Sequence, residues 1–98
     1  MLPDGWTIER VKAVAQGSAE VVTTDVPVIV DDIGAGAEGL TVVGTSPLPP
    51  RCILKFVDLY LVQDDEDGWW YMGMARPDGV IQCWAGYGDD LEEAIKAL

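Results

Sequence analysis

The sequence predicts an α+β domain, an antiparallel sheet of about five to six strands with one short C-terminal helix packed on one face. Three observations predict it. Residues 52–85 hold three apolar, β-branched and aromatic runs divided by turn signals, a predicted antiparallel meander. Gly86-Tyr87-Gly88 then breaks the pattern, and residues 90–98 change to helical spacing. A chain of 98 residues, 49% hydrophobic and 23% charged, has the size and composition of one folded domain, 1–98, with one core.

Residues 7–15 carry two patterns. Ile8, Val11 and Ala15 suit a helix, whereas the stretch from 5 to 19 reads as a first strand and turn. Both readings stay open, with the strand preferred. Residues 20–24 and 26–30 read as strands, with Asp25 and Pro27 marking an edge or a bulge. Residues 40–43 form another short strand. The proline-rich Pro47-Leu48-Pro49-Pro50 is a stiff connection rather than a polyproline ligand, because it lies between two predicted strands.

The meander follows. Residues 52–63 are too apolar for a surface helix and read as one long strand ending in the acidic loop Asp64-Asp65-Glu66-Asp67-Gly68. Residues 69–75 and 80–85 flank Arg76-Pro77-Asp78-Gly79, where proline presets the turn and glycine supplies positive φ, the signal of a tight hairpin. Asp90 with Glu93 three positions on makes a capping pair. Leu91, Ala94, Ile95 and Leu98 then form one apolar stripe, and so short a helix must dock on the sheet to be stable.

Charge is the most unusual bulk property. Seventeen acids against six bases, with no histidine, give a net charge of −11, spread over both halves of the chain. That field opposes direct contact with nucleic acid or anionic lipid and favours a protein with a basic surface as partner. The N-terminus has no signal-peptide pattern and no run reaches the ~20 apolar residues of a membrane span, so the expected location is cytoplasmic.

Motifs for chemistry are sparse. Gly34-Ala35-Gly36-Ala37-Glu38-Gly39 matches the spacing of a dinucleotide loop, but a β-like run follows where a helix is required, so the segment reads as a surface loop and no cofactor is expected. The acidic loop lacks the first and twelfth carboxylates of a calcium-binding EF-hand, so no metal site is expected. Without histidine there is no Ser-His or Cys-His pair, and the chain is not expected to be an enzyme. Cys52 and Cys83 form no metal or disulfide framework and read as two buried thiols.

The aromatic hairpin is the candidate for function. Side chains adjacent on a strand point opposite ways, so one face carries Trp70, Met72, Met74, Val80, Gln82 and Trp84, and the other Trp69, Tyr71, Gly73, Ala75, Ile81 and Cys83. Two apolar faces mean either cover on both sides or a face that meets a partner. The expected function is a small acidic protein-binding module, an inhibitor or immunity-type factor covering a basic surface. Asp64, Asp65, Glu66 and Asp67 would steer, and Trp70, Trp84 and Tyr87 would anchor. Two alternatives remain: a homodimer through the aromatic hairpin, and a small-molecule site or enzyme with an aromatic pocket.

Overall fold

The structure is a computed structural model that describes residues 2–36 and 39–98; over 32–36 and 39–43 the description is of the backbone. The chain runs α1 (Ile8–Ala15), β1 (Glu20–Val22), β2 (Val28–Gly36), β3 (Gly39–Pro47), β4 (Pro50–Phe56), β5 (Leu59–Asp64), β6 (Trp70–Ala75), β7 (Ile81–Gly86) and α2 (Leu91–Lys96). The strands form one sheet in the order β1-β4-β5-β6-β7-β2-β3. All neighbours are antiparallel except β2 and β7, which run parallel with Val28 beside Ile81 and Val30 beside Cys83. The mostly-sheet fold with a short C-terminal helix therefore agrees with the sequence, while seven mixed strands replace the expected five to six antiparallel ones.

Three local readings are corrected as well. The preferred strand at 7–15 is helix α1: Thr7 caps it by accepting from the Arg10 N–H at 3.2 Å, and Val11 is fully buried between half-buried Ile8, Val14 and Ala15. Arg10 occupies the place where a capping box would put Glu or Gln, which is why the start signal is hidden in the sequence. The single long strand at 52–63 is a hairpin, β4 and β5, turning at Val57 and Asp58. The meander thus has four strands. In the glycine-rich segment, Gly34, Ala35 and Gly36 extend β2 and Gly39 opens β3, instead of forming a loop; Ala37 and Glu38 lie outside the described residues.

The link between β3 and β4 shapes the sheet. These strands are five places apart in the sheet order, a separation of about 24 Å if the sheet were flat. Only Leu48 and Pro49 join them, and such a link reaches at most about 11 Å. The sheet must therefore coil on itself. Leu48 is buried inside the coil, with its N–H donated to Val28 O at 2.9 Å, and packs with Val28, Ile53, Val62, Ile81 and Cys83. On the opposite side, α1 and α2 cover Cys52, Leu54, Phe56, Leu61 and Trp70. Trp70, only 1% exposed, removes roughly 150–250 Å² from water there.

β6 and β7 are out of step by one residue. Met72 faces Ala85 and Gly73 faces Cys83, which leaves Trp84 as the extra residue of a β-bulge. Gly73 is required at this point, because a Cβ would lie 2.4 Å from Gln82 O and 2.9 Å from Cys83 Cα. At the β4–β5 turn, by contrast, a β-branched residue occupies a glycine position: Val57 has φ of 56°, a conformation that costs a non-glycine residue about 1–2 kcal/mol.

Gly73→Ala is expected to lower stability by about 2 kcal/mol or more in urea denaturation, since both neighbours are backbone and must move. Val57→Gly should raise stability by about 0.5–1 kcal/mol, strain relief exceeding the entropy that glycine loses on folding.

Candidate functional site

The turn at one end of β6–β7 is built as its sequence requires. The Arg76 N–H donates to Val80 O at 2.7 Å, Gly79 has φ of 89°, and Asp78 Oδ1 accepts from the Val80 N–H. Beside the turn, Met74 stands opposite Gln82 on the next strand, and Trp84 follows two residues later on the same face. This is the face that Trp70 and Met72 share under α2. The helix stops short of it, leaving Met74 47% and Trp84 42% exposed.

β2 contributes the polar group. Ile29 is the parallel neighbour of Gln82, so Asp31 falls one diagonal further on, where its Oδ1 accepts from Gln82 Nε2 at 2.8 Å. Asp31, Met74, Ala75, Arg76, Pro77, Gln82 and Trp84 together line an open, mainly apolar trough of about 420 Å³. The Arg76 guanidinium is turned to Asp78, at 3.0 Å, and so is neutralised at the rim. A larger recess of about 490 Å³ lies where the ends of α1 and α2 meet the β4–β5 turn. It is a seam between packed elements, and Lys96 along it is paired with Glu92 at 3.2 Å.

The residues nominated from the sequence separate. Trp70 is a core residue with no surface to offer, so its nomination as an anchor is corrected: its strand position places it beneath α2. Tyr87 is half-buried against the same core, its N–H bonded to Trp70 O at 2.9 Å. Trp84 alone of the three anchors is at the surface. The acidic loop is at the other end of the hairpin, since Met74 lies five residues along from Trp69, about 17 Å in a strand.

The loop's carboxylates also have local work. Asp64 Oδ1 accepts from the Glu66 N–H and Asp67 Oδ1 from the Trp69 N–H, both at 2.9 Å, while Asp65 receives Arg51 at 3.2 Å. These bonds close the loop with three of its four carboxylates, and the fourth, on exposed Glu66, takes no part in that closure among the described residues. Tyr71 lies beneath: burial first, then the Asp67 and Asp64 carboxylates and a hydrogen bond to Asp67, push its phenol up from the ordinary value. Among the described residues no three acids or cysteines are grouped to hold a metal ion, and no helix is long and apolar enough to cross a membrane.

Cys52 and Cys83 are free, buried, and on opposite sides of the sheet. Burial raises both thiols; the Cys83 thiol, with Asp31 adding to the effect, is pushed up to about 12. Comparison of the chain with protein-family models, curated proteins and solved structures gave no match. Function must be read from the surface itself. Asp31 is the residue that sequence reasoning misses, because only the parallel pairing of β2 with β7 brings it to Trp84.

Well below pH 9.0, the ordinary value, Cys83 is protonated whether the chain is folded or unfolded and has no effect on the pH dependence. Between there and about 12 the native state keeps a proton that the unfolded chain releases, so stability should fall as pH rises, by up to about 1.4 kcal/mol per pH unit. Cys52 and Tyr71 act in the same direction. Urea midpoints measured from pH 8 to pH 11 check this, and a flat profile would contradict it.

Proposed function

We propose that the chain is a small acidic protein-binding module, of inhibitor or immunity type, that covers a basic surface on another protein, with the trough around Trp84 and Met74 at the centre of the contact. The observation that carries this reading is the exposed tryptophan and methionine beside a carboxylate, on a chain where five of the six lysines and arginines are already engaged. Arg51, Lys55, Arg76 and Lys96 each pair with an acid, and Arg10 lies over the Trp6 ring at 4.0 Å, leaving Lys12 as the sixth base. Most of the seventeen acids must therefore find opposite charge in solution or on a partner. Tryptophan in a desolvated centre with charge around it is the composition of a binding hot spot, in which the indole supplies affinity and the charge supplies steering.

The steering role extends to the acidic loop, with Glu66 the most available of its charges. A homodimer through the same hairpin face uses the same apolar atoms, but two copies at −11 each repel one another, which favours a basic partner over a second copy.

Affinity capture from native lysate tests the proposal. Wild-type protein should retain a basic protein at about 50 mM salt and release it at about 500 mM; Trp84→Ala should weaken its capture about tenfold or more, with Asp65→Lys weakening it less. Identical retention by wild type and Trp84→Ala would sink the assignment of this surface.

A further inference from the structure

Taking the chain as a module for a basic surface, as proposed above, we infer that the trough is a site for one arginine side chain of the partner, its guanidinium stacked on Trp84 and hydrogen-bonded to Asp31 and Gln82. The chemistry of the lining selects this occupant. Gln82 donates one amide N–H to Asp31 Oδ1, at 2.8 Å, which assigns the other atom of its amide head as the carbonyl Oε1, an acceptor. The second Asp31 oxygen is an acceptor as well. Among the described residues neither atom receives a further hydrogen bond.

Two acceptors side by side, one of them charged, match the planar fork of a guanidinium better than the single point of an ammonium group. The walls complete the fit. Trp84 presents an indole whose face attracts a cation, and Met74 and Pro77 give the aliphatic stem of an arginine an apolar bed. The chain makes a pairing of this kind internally, with Arg10 over Trp6 at 4.0 Å. No cation of the described residues takes the equivalent place on Trp84, because Arg76, the nearest one in the trough, is held by Asp78 at 3.0 Å. A donor-rich, flat cation from outside fills what the fold leaves open, and an anionic ligand such as a nucleotide does not.

The test is a titration of the full chain, isotopically labelled, with N-acetyl-arginine amide, the lysine counterpart and the norleucine counterpart. It is read by NMR at the Trp84 indole N–H and the Gln82 side-chain amide. The arginine compound should shift both signals saturably, the lysine compound should bind about threefold or more weakly, and the norleucine compound should shift neither. Trp84→Ala and Asp31→Asn should each lower the arginine affinity about threefold to tenfold, whereas Trp69→Ala, at an exposed tryptophan outside the trough, should leave it unchanged. Spectra of the variants that match wild type away from the trough keep a loss of binding distinct from a loss of fold.

Equal response to arginine and lysine, shifts confined to residues 64–67, or no effect of Asp31→Asn would overturn the arginine site. If the arginine compound fails while Trp84→Ala still loses the captured partner, the arginine assignment falls and the docking surface stands. If Trp84→Ala keeps the partner, the surface itself falls, whatever the small compounds do.

Discussion

Everything in this molecule follows from a link that is too short for a flat sheet. Leu48 and Pro49 must carry the chain from the last strand in the sheet order to the second, and the sheet coils to allow it. Coiling creates an inside, filled by Val28, Leu48, Ile53, Val62, Ile81 and Cys83, and an outside that has to be covered separately. The cover consists of two helices of eight and six residues, about 12 Å and 9 Å long. They shelter Trp70 and stop before Met74 and Trp84. The exposed trough is thus what remains when two short helices are laid on a longer outer face.

The bulge resets the alternation of β7 just beyond that uncovered ground. Without the extra residue at Trp84, the alternation along β7 would run unbroken through Gly86, and Gly86 would not face the Tyr71 ring, whose nearest carbon lies 3.1 Å from a Cβ built on it. Gly73 makes the irregularity possible by giving the backbone of Gln82 and Cys83 room to approach. A glycine on one strand thereby sets which way the residues beyond Trp84 face on the next. Electrostatics adds a second layer, since five of the six lysines and arginines are tied to neighbouring acids or to Trp6 and the surface as a whole stays anionic.

What the sequence makes legible is local. The β6–β7 hairpin and α2 carry their own punctuation, Pro77 with Gly79 and Asp90 with Glu93, and both appear where that punctuation puts them. The β4–β5 turn escapes notice because Val57, a β-branched residue at positive φ, breaks the rule by which such turns are recognised. α1 escapes because its cap at Thr7 lacks the reciprocal partner. The trough was half legible: alternation puts Met74, Gln82 and Trp84 on one face, but whether α2 reaches them depends on helix length against strand length, and Asp31 arrives from a strand that nothing in the sequence marks as a parallel neighbour. The same alternation could not tell Trp70 from Trp84.

The parallel pairing of β2 with β7 also bears on how the protein is made. Asp31 and Gln82 are 51 positions apart, so the hairpin of β2 and β3 emerges from the ribosome before β7 does. Non-local pairings of this kind are slow to form, because closing a long loop comes before any reward from the contact. A nascent chain therefore passes through a stage in which one flank of β2 is bare, and emergence of β7 is what ends it.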